Sequence, residues 1–190
     1  WPPVLLGTFL AGLNIFIALI EEDSGKSSLV FGVSALLFAA YALRFKQPPI
    51  GYLATASAAL SVIYALQHFE CEAWLLSLTS LSILYYAVGF LLARREETKP
   101  WGTMLIASGL SLGGLVSVLA LTLDEAFGGW YTLVIAALFI VEIYARKNGW
   151  LEVLAEAILS IGLIMLMDDF GASAIAYYIF SLSLLWFSCD

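Results

Sequence analysis

Residues 101–123 have the sequence "WGTMLIASGLSLGGLVSVLALTL", which contains no charged residue. Its length falls within the roughly 17–25 apolar residues that an α-helix needs to cross the hydrocarbon core of a bilayer. Helices satisfy every backbone amide within one segment, whereas a strand needs partners on both sides. The stretch therefore predicts a membrane-spanning helix.

The composition extends this conclusion to the whole chain of 190 residues. Hydrophobic residues make up 62% of it and charged residues 12%, against about 25% charged residues in ordinary soluble domains. A soluble fold of this size would lack the polar groups that its surface needs. The net charge of −7 and the lack of a basic stripe argue against a nucleic-acid partner. The expected partners are the lipid bilayer and other membrane subunits.

Short polar breaks divide the chain into eight apolar runs. The runs cover residues 4–20, 28–43, 50–67, 74–93, 101–123, 130–145, 151–167 and 172–188. Their length and even apolarity predict an all-α integral membrane protein, a bundle of eight transmembrane helices. All seven connections are short, so we expect a single polytopic domain over residues 1–190.

Charges alternate between successive junctions. Every second junction is acidic, and the others hold all but one of the cations, Arg44, Lys46, Arg94, Arg95, Lys99, Arg146 and Lys147. Only Lys26 departs from this pattern. The positive-inside rule then predicts a multi-pass protein of the inner or plasma membrane, with both termini in the cytoplasm. Cys71 and Cys189 would lie on opposite sides and could not form a disulfide.

The basic junctions resemble one another: "YALRFKQPPIGY", "LARREETKPWG" and "YARKNGW". Each ends a helix with Arg, where a cation suits the negative end of the helix dipole, and continues with Pro or Gly and an aromatic residue. This recurrence predicts four consecutive helical hairpins. Their ranges are 1–47, 48–99, 100–149 and 150–190. Shared physical constraints without duplication would explain the same marks.

A polar cluster is expected where the sixth and seventh runs meet. Glu142 lies four residues before Arg146, while Glu152 and Glu156 lie one helical turn apart just after the junction. One hypothesis is an ion or proton site, because carboxylates at membrane depth are costly and face a bundle interior or water. The other is a structural cluster in which Arg146 and Lys147 neutralise the carboxylates.

The segment "HFECE" gathers four potential metal ligands, His68, Glu70, Cys71 and Glu72. One His and one Cys fall short of the spacing of a structural zinc site, so a solvated loop is expected and no metal. A single His also excludes bis-His haem ligation within this chain. No catalytic motif can be assembled, so we expect neither an enzyme nor a cofactor.

Small and polar residues inside the runs predict helix packing. Gly109 and Gly113 form a small-xxx-small pair in the fifth run, and the Asn14 amide is expected to hydrogen-bond across helices.

The sequence favours a non-enzymatic multi-pass membrane protein, a structural or accessory subunit that packs in a larger membrane assembly. Evenly apolar spans, tight connections and few intramembrane polar groups favour this function. The alternative is a small-solute or cation- or proton-coupled transporter or channel that uses the cluster of Glu142 and Glu156.

Overall fold

The computed structural model describes residues 12, 17, 18, 20, 21, 23–122, 127–147 and 149–171. Within these residues the chain forms six helices and no strand. The helices are α1 (Ser24–Phe45), α2 (Pro48–His68), α3 (Trp74–Leu92), α4 (Lys99–Ala120), α5 (Gly128–Arg146) and α6 (Trp150–Asp169). All six are long and apolar enough to cross a membrane. The all-helical fold is therefore consistent with a multi-pass membrane protein.

The number of helices differs from the eight that the sequence predicts. The second to seventh apolar runs correspond to α1–α6, with bounds shifted by a few residues. Of the first run, 4–20, only residues 12, 17, 18 and 20 are described, and the last run, 172–188, lies wholly outside the described residues. The structure thus supports six helices, and it does not support the predicted eight.

Helix α1 begins with a side-chain cap. The Asp23 carboxylate accepts hydrogen bonds from the backbone N–H groups of Gly25 and Lys26, at 3.0 and 3.2 Å. The Lys26 N–H is the main reason why the pKa of Asp23 is lowered from its ordinary value, and the Lys26 ammonium, 3.2 Å away, lowers it further. An acidic residue of the junction before α1 thus caps this helix.

Helix α1 ends at Phe45, and the next residue, Lys46, has a φ of 53° in the left-handed region. Pro48 follows at the first position of α2, where a proline has no hydrogen bond to lose. This turn brings α2 back along α1.

The chain divides into two compact units, Trp1–Ser108 and Gly109–Asp190. In the first unit, α1 packs extensively along α2. Ser28 and Ser61 exchange hydrogen bonds, each hydroxyl donating to the other's carbonyl oxygen, at 2.9 and 2.8 Å. Beside them the rings of Phe31 and Tyr64 stack with centroids 5.4 Å apart. A pair of serines and a pair of aromatic rings thus lie next to each other in this close helix pair.

Helix α3 crosses α4 at a pair of glycines in the same unit. A Cβ atom on Gly89 would lie 2.7 Å from the backbone nitrogen of Ile106 and 2.8 Å from the carbonyl oxygen of Gly102. Both contacts are with backbone, which cannot move aside as a flexible side chain can. Only glycine fits at this crossing.

The second unit contains the α5–α6 hairpin. Gly129 and Gly162 bring the two helices together, since a Cβ on Gly129 would lie 2.9 Å from the Leu166 nitrogen and 3.1 Å from the Gly162 oxygen. The short turn after Arg146 makes the helices antiparallel, as neighbours with short connections are. This hairpin carries the predicted polar cluster.

Candidate functional site

Glu142 lies on the buried face of α5. The same face contains Thr132, Ile135 and Phe139, which are likewise buried. These positions recur at three- or four-residue intervals, so one stripe of the helix faces inward. Glu142 itself is only 2% exposed, which makes it the one buried carboxylate among the described residues.

Arg146 offsets the charge of this buried carboxylate. Its Nε lies 2.6 Å from Oε1 of Glu142, one helical turn earlier. The Glu142 side chain is 3% exposed and the Arg146 side chain 35% exposed, so the guanidinium reaches from the buried face towards the helix end. A hydrogen bond between two charged groups is among the strongest in proteins. The pair also places a cation at the C-terminal end of α5, where the helix dipole favours it.

Glu152 and Glu156 line a different surface of the hairpin. They border a partly open groove of about 310 Å³ between α5 and α6, which we call the acidic groove. Its remaining lining is Ile140, Ile143, Tyr144, Ala155 and Leu159. Two carboxylates thus face a largely apolar groove.

Neither carboxylate of the acidic groove has an ion-pair or hydrogen-bond partner among the described residues. Glu156 is half-buried and Glu152 is exposed. Water can therefore solvate Glu152 freely and Glu156 in part. A cation that enters the groove would meet both charges.

The structure therefore arranges the predicted cluster in two groups. Glu142 and Arg146 form one ion pair, while Glu152 and Glu156 share the acidic groove, whose lining includes neither member of that pair. Sequence spacing places all four near one end of the hairpin. It does not determine the helix rotation that separates the groups.

The structure describes the contacts of the "HFECE" segment, the weak candidate for a metal site. The His68 ring packs against Gly25, where a Cβ atom would lie 2.8 Å from Cε1, and meets Phe69 edge-on with centroids 5.2 Å apart. Glu70 adopts a left-handed φ of 49°, and Cys71 is a free, half-buried cysteine. In the part of the chain that the structure describes, no three His, Cys, Asp or Glu residues are grouped to hold a metal ion. Glu72 is exposed beside them.

The predicted packing residues have separate outcomes. Gly109 and Gly113 are both buried in α4, and the Gly113 carbonyl accepts a hydrogen bond of 3.1 Å from the Ser117 hydroxyl. Asn14 lies outside the described residues, so its cross-helix hydrogen bond stays a prediction.

A hydroxyl cluster in the first unit joins three helices. The hydroxyls of Thr55 and Ser108 lie 2.8 Å apart, and the Tyr85 hydroxyl donates to the Thr55 carbonyl at 3.1 Å. The sequence analysis did not predict this cluster. Hydroxyl residues within the apolar runs were the feature that could have indicated it. Its bonds link α2, α3 and α4 through three half-buried side chains.

In comparisons with known proteins, no family model, no curated protein and no solved structure matches this chain.

Proposed function

We propose that the chain is a multi-pass membrane protein of eight spans arranged as four consecutive hairpins, with both termini in the cytoplasm. All Lys and Arg residues except Lys26 lie in, or at the helix ends beside, the three turns that join α1 to α2, α3 to α4 and α5 to α6. The turn between α2 and α3 carries Glu70 and Glu72, and α6 ends with Asp168 and Asp169. A helix that crosses a bilayer has its ends on opposite sides. The positive-inside rule then assigns the basic turns to the cytoplasm.

Its function, we infer, is that of a non-enzymatic structural or accessory subunit that packs in a larger membrane assembly. The supporting observation is how the buried polar groups are used. Among the described residues, the buried side chains with polar atoms are Glu142, seven serines and threonines, and Tyr86, and the Glu142 charge is offset by Arg146. Hydroxyls such as those of Ser28 and Ser61 join neighbouring helices, and the buried hydroxyls of Ser117 and Thr132 donate to carbonyls of their own helix. They are not the aligned charges of a proton path or the assembled set of a catalytic site.

The exposed apolar side chains support the same function. Leu29, Val33 and Leu36 lie on one face of α1 and are 72, 56 and 73% exposed. In a membrane such a face contacts lipid chains or another apolar helix.

Extraction of the full chain from its native membrane tests this proposal. We expect a native gel in mild detergent to show the chain in a complex of defined mass, and stronger detergent to release the single chain. Reconstituted alone, the protein should not raise proton or cation flux above that of empty vesicles. A single chain in mild detergent, together with flux above that background, would overturn the proposal.

The acidic groove favours transport as a second candidate function. A groove of about 310 Å³ that is lined by Glu152 and Glu156 would admit a cation or a small cationic solute, and such carboxylates are typical of ion and proton pathways. Glu142 would then have a structural part, since Arg146 already pairs with it.

Flux measurements on the Glu156→Gln variant separate the two functions. If the chain transports, this variant should lose at least about tenfold in flux, because the half-buried carboxylate loses its charge. Asp168→Asn removes an exposed carboxylate at the other end of α6 and serves as the matched control. Equal flux from wild type and both variants would exclude the acidic groove as the pathway.

A further inference from the structure

A second groove lies in the first unit, against two basic turns. It has a volume of about 380 Å³ and is lined by residues of α1, α2 and α4 and by the end of α3. Its lining is apolar apart from the hydroxyls of Thr55 and Thr98. The apolar lining residues include Leu43, Ala54, Leu92, Trp101 and Leu105. We call it the basic-turn groove.

Several lining residues of this groove are close in sequence to the cations of the basic turns. Leu43 immediately precedes Arg44, and Leu92 lies two residues before Arg94. The turn between α1 and α2 and the loop between α3 and α4 therefore border the same end of the groove. Together they carry five cations and two carboxylates.

Most of these cations form no ion pair among the described residues. Lys99 pairs with Glu96 at 3.0 Å, and the Arg94 guanidinium lies 5.1 Å from the centre of the Phe90 ring. Among the described residues, Arg44, Lys46, Arg94 and Arg95 have no ion-pair partner, and all four are exposed. These cations are thus available to an external anion.

We propose that the basic-turn groove binds an anionic phospholipid, with the upper part of one acyl chain in the groove and the phosphate against the basic turns. Charge complementarity selects this occupant, since basic pockets at the membrane surface between helices are the usual sites for anionic head groups. The groove volume lies at the lower end of the range for ligand sites and holds part of a chain, not a whole lipid. Trp101 in the lining suits the interfacial depth at which head group and chain meet.

Native mass spectrometry of the full chain tests the proposal. The protein is reconstituted in vesicles of equal parts phosphatidylglycerol and phosphatidylcholine with identical chains, extracted in mild detergent, and measured for retained lipid. We expect phosphatidylglycerol to be retained in preference to phosphatidylcholine. Equal retention of the two lipids would overturn the proposal.

Two matched substitutions assign the preference to the groove. Arg95→Gln should reduce the phosphatidylglycerol preference about fivefold, the effect of one cation near an anionic head group. Lys147→Gln removes an exposed cation from the α5–α6 turn and should change the preference less than twofold. An equal loss in both variants, or no loss in Arg95→Gln, would show that the groove does not determine the preference.

The acyl-chain part of the proposal has its own variant. Ala39 lines the basic-turn groove, and Ala39→Phe should fill it and lower the retention of phosphatidylglycerol towards that of phosphatidylcholine. Unchanged retention in a folded Ala39→Phe protein would overturn the placement of the chain. If that variant does not fold, the comparison of Arg95→Gln with Lys147→Gln decides the proposal.

Discussion

At the scale of single residues, the interpretation of the α5–α6 hairpin depends on what the Glu142 carboxylate pairs with. A buried carboxylate in an apolar helix suggests chemistry, whereas the ion pair with Arg146 is what a structural role would require. The sequence leaves both hypotheses open, because spacing alone shows that Arg146 is within reach and not that it is used. The pair is the arrangement that the neutralisation hypothesis requires for Glu142. The carboxylates of the acidic groove have no such counter-charge among the described residues.

We predict that Arg146→Gln destabilises the protein by about 2–3 kcal/mol. Removing one partner of a fully buried pair costs about 3–5 kcal/mol, and the partial exposure of Arg146 reduces this. The free energy of unfolding in detergent micelles measures the effect. Arg44→Gln is the matched control, because Arg44 also ends a helix but has no described ion pair. Equal destabilisation of the two variants would contradict the importance of the pair.

Asp23 gives a prediction about pH. Its pKa is lower in the folded protein than the ordinary 3.8, so the ionised form stabilises the fold. That contribution is complete above 3.8 and is lost as the pH falls through the folded-state pKa. Asp23→Asn keeps a capping oxygen without the charge. The difference in melting temperature between wild type and variant should therefore be constant near neutral pH and change only below about pH 4. A difference that does not vary down to about pH 3 would contradict the cap.

At the scale of helices, glycine pairs bring the elements together. Gly89 meets Gly102 between α3 and α4, and Gly129 meets Gly162 between α5 and α6. The sequence predicts membrane helices and many of their ends. It does not mark these pairs, because a helix that is apolar all round has no polar face to show which side meets a neighbour. The same reason explains why the spacing rule points to Gly109, which is buried, but not to the crossing at Gly89.

Gly89→Ala should destabilise the protein by about 1–3 kcal/mol, since the added methyl group would force the backbones of α3 and α4 apart. Gly114→Ala is the control within a helix of the same type, because a Cβ there has nothing within 4 Å. The control should be neutral or more stable by up to about 1 kcal/mol. Thermal unfolding in micelles compares the two. Equal effects would show that the crossing at Gly89 is looser than the structure indicates.

At the scale of the whole molecule, the sequence predicts the class of protein better than its function. Apolar run length determines the spans, and six of the predicted runs are helices in the structure. The grooves could not be predicted, because each depends on how several helices are rotated and spaced. The sequence, for example, predicts that Arg95 is a cation in a loop. Only the structure places its loop beside the basic-turn groove.

The central claim, a multi-pass protein with its basic turns in the cytoplasm, is tested most directly by labelling with a membrane-impermeant maleimide. In a background with Cys71→Ser and Cys189→Ser, single cysteines are introduced by Gln47→Cys, Glu72→Cys and Glu97→Cys, at positions that are all exposed. In intact cells we predict labelling of the Glu72→Cys variant alone, and labelling of the other two only after the membrane is permeabilised. Labelling of all three variants in intact cells, or the inverse pattern, would contradict the account.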